Sequence, residues 1–194
     1  MMIGKYLLKN HVEEIILAIT GNGRTDLHIL DAFAKKYNGM KKFIWTPTSS
    51  RQKKTGLKAL DAIKYIVSKY KIENFIYLVD KEHVKDKDEI LQYLSKFLRN
   101  VSREGHLITA NYGSHSIRIY TVIFGEEKCI EEEIAKLIKI RYSMDITPDK
   151  KEIKKFLREK KTWYDKLIEV STKNELRESF PNLSEIMQKI EEDP

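Results

Sequence analysis

With 194 residues, 41% of them hydrophobic and only 8 Gly and 4 Pro, the chain can bury a sizeable core, and its composition argues against a disordered protein. The 36 Lys and Arg against 29 Asp and Glu leave a net charge of +7, which favours a polyanionic partner such as nucleic acid. The single cysteine, Cys129, excludes an internal disulfide and a multi-cysteine zinc site, and no apolar run approaches the roughly 18 residues of a spanning helix.

The opening MMIGKYLLKN is too short and broken for a secretory signal, so a cytoplasmic location with no membrane partner is expected. The Lys/Glu/Ile-rich composition fits a thermophilic source. EEIILAIT (13–20) is a continuous apolar run ending at glycine, the pattern of a buried strand. LHILDAFAKKY (27–37) places Leu27, Leu30, Phe33 and Ala34 at helical spacing before an Asn-Gly stop. KFIWTPTSS (42–50) reads as a second strand closed by Pro47. GLKALDAIKYIVSKY (56–70) is a helix with Leu57, Leu60, Ile63, Ile66 and Val67 on one face. ENFIYLVD (73–80) is a third buried strand, and KDEILQYLSKFLRNV (87–101) a further amphipathic helix. GHLITANYG (105–113) and SIRIYTVIFG (116–125) read as strands of an antiparallel hairpin. Helical spacing then covers 128–143, 148–170 and 183–193.

Strand–helix alternation with apolar strands predicts an α/β fold with a mainly parallel, Rossmann-like sheet, helices on both faces and right-handed crossovers. Residues 1–146 would form this domain, and 147–194 a helical extension packed on it. In such a sheet, ligands bind at the carboxyl ends of the strands. Those ends bring together Asn22, Arg24 and Asp26, then Ser49, Ser50, Arg51, Lys53 and Lys54, then Asp80, Glu82 and His83. Asp80 and Glu82 are two residues apart at a strand end and so point to one side. They are hard oxygen donors suited to Mg²⁺ (or Mn²⁺), and a metal held there can assist phosphoryl transfer. Arg24, Arg51, Lys53 and Lys54 are candidate phosphate ligands, and a basic helix containing Lys154 and Arg158 could track a nucleic-acid backbone.

Each feature also has a plain structural reading. Asp80 could cap a helix or turn, and Asp26 could be an N-cap. Gly21 and Gly23 could serve only a tight turn, and the basic segments could be solvated surface. The stretch GNGRTD lacks both the P-loop pattern and the full G-x-G-x-x-G.

NGRTD (22–26) and DKE (80–82), in the order strand, motif, helix, strand, helix, strand, motif, resemble the two signature motifs of the Toprim family, the fold shared by topoisomerases, primases and several small nucleases. The resemblance spans roughly residues 12–125. It implies metal-binding roles for Asp80 and Glu82, and a loop-shaping role for Asp26 beside Gly21 and Gly23. It also implies a divalent-metal-dependent protein of DNA or RNA, with nuclease or other phosphoryl-transfer chemistry as its activity. The family's first-motif glutamate falls on Asn22, which offers a carbonyl oxygen but takes no proton near neutral pH. Asn22 therefore joins Asp80 and Glu82 in the candidate catalytic group, and Glu131 (a candidate metal ligand) or Glu132 could supply the missing carboxylate. An acidic first turn also simply suits a helix N-terminus. The rival expectation is a non-enzymatic nucleotide-binding sensor or regulator. The oligomeric state stays open, a homodimer included.

Overall fold

The computed structural model describes residues 14–22, 24–37, 42–45 and 54–192. In chain order these form β1 (Glu14–Thr20), α1 (Arg24–Tyr37), β2 (Lys42–Trp45), a 3-10 segment (Gly56–Asp61) running into α2 (Ala62–Tyr70), and β3 (Asn74–Asp80). After a 3-10 turn (Lys81–His83) come α3 (Lys87–Leu94), β4 (Arg99–Glu104), β5 (Leu107–Tyr112) and β6 (His115–Phe124). The chain continues through α4 (Ile130–Tyr142), α5 (Lys150–Glu159), α6 (Tyr164–Val170), α7 (Lys173–Ser179) and α8 (Pro181–Glu192).

The strands make one sheet in the order β2-β1-β3-β6-β5-β4. The first four are mutually parallel, and β5 and β4 add antiparallel pairs at one side. The expected α/β, Rossmann-like arrangement is therefore present. Alternation along each strand sorts side chains into two cores. Ile16, Ala18, Ile76, Leu78, Tyr120, Val122 and Phe124 pack with α1 and α4–α8 on one face. Leu17, Ile19, Phe75, Tyr77, Val79, Ile117 and Ile119 pack with α2 and α3 on the other. Residues of the C-terminal helices, Phe156, Leu167, Phe180 and Ile186 among them, belong to the first core. Among the described residues no helix is long and apolar enough to cross a membrane.

Several boundaries differ from the sequence-based expectation. The helix expected over 87–101 stops at Leu94, and Arg99–Glu104 instead pairs with β5 as an edge strand. Cross-strand pairing there outweighs helical spacing, and Asn100 enters the left-handed region at φ 51°. The helix expected over 148–170 is two helices. Lys161 takes φ 51°, its N–H bonds Arg158 O, and Thr162 N–H bonds Leu157 O, a left-handed helix stop that usually uses glycine. Helix α7 was not anticipated; Thr172 and Glu175 start it with a reciprocal capping box. The hairpin is as expected, with Gly113 at φ 60° in its turn. Of the second strand, Lys42–Trp45 is described, while 46–50 lies outside the described residues.

Gly125, between β6 and α4, shapes the carboxyl end of the parallel strands. At φ 78° it packs so closely on the first turn of α4 that a Cβ would lie 2.5 Å from Cys129 N. Gly125→Ala combines left-handed strain of about 1–2 kcal/mol with this backbone clash. A loss of roughly 2–4 kcal/mol is expected, read as a Tm lower by roughly 4–16 °C in thermal unfolding. Gly105→Ala, also at positive φ but facing open space, should lose only the strain component.

Candidate metal centre

The pleat of β3 turns Asp80 to the same side as Ile76 and Leu78, the face covered by α1 and α4. Its Oδ1 accepts the backbone N–H of Ile130, the first residue of α4, at 3.1 Å. A carboxylate is favoured beside the unpaired amides of a helix N-terminus. Asp80 thus does cap a helix, but with one oxygen and for a helix 50 residues away; Oδ2 has no hydrogen-bond partner among the described residues.

Asn22 joins the neighbouring strand to this point. Its Oδ1 accepts the Asp80 backbone N–H at 3.1 Å, and its own N–H donates to Thr20 Oγ1 at 3.0 Å. The Thr20 hydroxyl makes a long contact of 3.4 Å with Asp26 Oδ2. Gly21 N–H bonds Leu78 O at 2.8 Å, and Gly21 O accepts Gly56 N–H at 2.7 Å. A Cβ on Gly21 would meet Tyr77 Oη at 3.0 Å and Gly56 O at 3.1 Å, so a side chain there would crowd both. Asp26 is the third residue of α1 and is buried, so it shapes the loop from inside the first turn and is not the N-cap.

The N-terminal turn of α4 separates its two candidate glutamates. Glu132 accepts the backbone N–H groups of Glu126, Glu127, Lys128 and Cys129 at 2.7–3.3 Å, which hold its carboxyl below the usual range despite partial burial. It builds the β6–α4 loop. Glu131 instead lines a cleft of about 300 Å³ with Asn22, Asp26, Asp80 and Glu82. Cys129 and Ile130 complete that side, and Pro148, Asp149 and Lys150 at the start of α5 form another.

Negative charge is crowded here. Burial, then repulsion from Asp26, pushes the Asp80 carboxyl up to about 8; the Ile130 N–H opposes this, while Glu131 and Glu82 add to it. Burial raises Asp26 to about 6, with the nearby Asn22 amide opposing and Glu131 reinforcing. The Asn22 Nδ2 meets no acceptor at hydrogen-bond geometry, so its influence on Asp26 is that of a close dipole. Glu133, behind the cleft, is pushed by burial to about 8. The Cys129 thiol is raised by burial and Glu131 to about 12, which leaves it a poor nucleophile near neutral pH.

Asp80, Glu82 and His83 each offer one ligand atom, all within 4.8 Å of one another. Asp80 is 7% exposed, whereas the Glu82 and His83 side chains are 52% and 37% exposed, so the group opens outward. The short turn carrying them is held by Glu82 N–H to Lys128 O at 2.9 Å. Two carboxylates and an imidazole could hold a divalent cation, and a cation would offset the repulsion that raises Asp80. Glu131 acts on Asp80 and Asp26 electrostatically but lies outside this cluster.

Other expected site residues fall elsewhere. Lys54 Nζ pairs with Asp61 at 2.9 Å, and the other Asp61 oxygen accepts the Tyr93 hydroxyl. Lys154 is half-buried and Arg158 exposed along α5; neither lines the cleft. Gly23, Ser49, Ser50, Arg51, Lys53 and the side chain of Arg24 lie outside the described residues. Sequence reasoning did not anticipate that Lys150, Asp149 and the Ile130 amide would border the site. Comparison of the chain with protein-family models, curated proteins and solved structures returns no match.

The buried acids imply a pH dependence. Asp80, Asp26 and Glu133 have folded pKa values above their unfolded ones, so between about pH 4 and 8 the folded state binds more protons. Stability therefore falls as pH rises through that window. His106, lowered by burial, works in the opposite sense, as do the lowered carboxyls of Asp61, Glu132, Glu175 and Glu185, though these carboxyls act only at the acid end of the window. In chelator, urea unfolding should give a higher midpoint at pH 5 than at pH 8. Glu133→Gln should narrow the gap.

Proposed function

We propose that this cleft binds a divalent cation, Mg²⁺ or Mn²⁺, and with it phosphate groups of a nucleic acid, as the resemblance to Toprim proteins implies. The carrying observation is the clustering of Asp80, Glu82 and His83 at the carboxyl ends of parallel strands. The site lies beside the β1–β3 boundary, where the order of a doubly wound sheet reverses and ligands characteristically bind.

Asp80 and Glu82 would hold the ion, with His83 as a nitrogen donor that favours Mn²⁺ over Mg²⁺. A bound ion would polarise a phosphodiester and offset charge that develops on its oxygens. The chain's own part is positional. Asn22 fixes the Asp80 backbone, the Ile130 amide fixes one carboxylate oxygen, and Glu132 fixes the loop that presents Ile130. Lys150 supplies positive charge on the cleft wall. Asn22 replaces an acid/base group by a tether, so proton transfer would fall to another cleft carboxylate, Glu131 or Asp26. The same replacement supports the second reading, a nucleotide-binding regulator that does not turn over.

Mn²⁺ at about a hundredfold excess over its Kd should stabilise the protein by about 2.7 kcal/mol, read as a Tm increase of roughly 5–10 °C, and Asp80→Asn should abolish the increase. Labelled single- and double-stranded DNA and RNA should be cleaved with Mn²⁺ and remain intact with chelator. Cleavage undiminished in Asp80→Asn would exclude the assignment, and metal binding without cleavage of any substrate would favour the regulator.

A further inference from the structure

Helix α5 concentrates the positive charge of the molecule. Residues 150–161 carry seven basic and two acidic side chains, a net +5 of the +7 in the whole chain. The helix buries Ile153, Phe156 and Leu157 in the first core. At 3.6 residues per turn, Lys151, Lys155 and Arg158 (i, i+4, i+7) form a ridge opposite that buried side. All three are exposed, and none has an ion-pair partner among the described residues. On neighbouring elements several cations are paired: Lys139 with Asp145, Lys166 with Glu169 and Lys173 with Glu191. The unpaired ridge begins where α5 begins, and Lys150 at that end is a wall of the cleft.

We propose that the α5 ridge is a docking surface for the sugar–phosphate backbone of a nucleic acid, which it leads into the cleft. Three cations over seven residues of helix span about 10 Å, the axial rise of about three phosphates of one duplex strand. An anionic membrane is the less suitable partner, because surface-binding helices need an exposed apolar face and that of α5 is in the core. An exposed lysine and arginine ridge recognises phosphates without reading bases, so binding should be insensitive to sequence and strongly salt-dependent. The direction of the strand rests on the cleft reading given above; binding to the ridge needs no metal and is tested without it.

The experiment titrates fluorescein-labelled single- and double-stranded oligonucleotides with full-length protein in EDTA, by fluorescence polarisation across a range of salt concentrations. Two variants are compared with wild type. One is the ridge triple Lys151→Gln, Lys155→Gln and Arg158→Gln. The second is a control triple, Lys58→Gln, Lys69→Gln and Lys96→Gln, equal in charge and on the opposite side of the sheet. The ridge triple should lose at least about tenfold in affinity near 0.1 M salt, with a log–log salt slope shallower by about 2–3 on duplex DNA. The control triple should change less than about twofold, and binding that persists in EDTA separates this surface from the metal reading. The proposal is overturned if the two triples weaken binding equally, since attraction would then follow net charge alone. It is equally overturned if wild type binds no oligonucleotide, whether or not it binds phosphatidylserine vesicles. Unchanged circular dichroism and Tm of the ridge triple confirm that the fold is intact.

Discussion

The arrangement at the carboxyl end of the sheet depends on one buried carboxylate. Asp80 closes a strand whose preceding five residues, Phe75–Val79, are buried, so it arrives where water is scarce. The backbone offers it a single N–H, from Ile130, while Asp26 and Glu131 act against its ionisation. Burial and this repulsion together raise its pKa, so the charged form is held at a cost. A site held at such cost needs firm support, and three tethers supply it: Asn22 to the Asp80 amide, Glu132 to its own loop, and Gly21 between β3 and the 3-10 segment. Asn22 and Gly21 tie the β1 end to β3, and Glu132 holds the loop after β6.

The distribution of charge extends this logic across one side of the molecule. The cleft is acidic, and its rim at Lys150 opens onto the unpaired cations of α5. A polyanion would be attracted by the helix and repelled by the cleft until a cation reverses the local sign. Metal and phosphate would then enter the cleft as linked ligands, each improving the other's binding. The antiparallel β4–β5 pair lies at the far edge of the sheet, outside the cleft lining.

Much of this was legible in the sequence, for physical reasons that differ by element. The strands β1 and β3 are short continuous apolar runs, as doubly covered parallel strands must be, and their ends located Asn22 and Asp80 directly. The i, i+2 spacing of Asp80 and Glu82 needed only the pleat. Strand β4 was hidden because RNVSRE is an exposed edge with little apolar alternation. The break after α5 was hidden because Lys161 adopts a conformation in which glycine is usual. Although the acidic turn after β6 had already suggested Glu131 or Glu132 for the site, the bond from the Ile130 amide to Asp80 was not readable. It requires β6 to lie parallel to β3 although a hairpin separates them in the chain, and no local pattern encodes that order. For the same reason the loop after β6 proved to be a wall of the cleft. Asn22 looked like a weakened catalytic glutamate; its tethering role depends on a backbone donor 58 residues away.

If Asp80, Glu82 and His83 hold a divalent ion, anomalous diffraction from crystals of the protein soaked in Mn²⁺ should show one peak within about 2–2.5 Å of ligand atoms of Asp80 and Glu82, with His83 beside it. A fully soaked crystal with no peak there, or with manganese bound only elsewhere, would rule this site out.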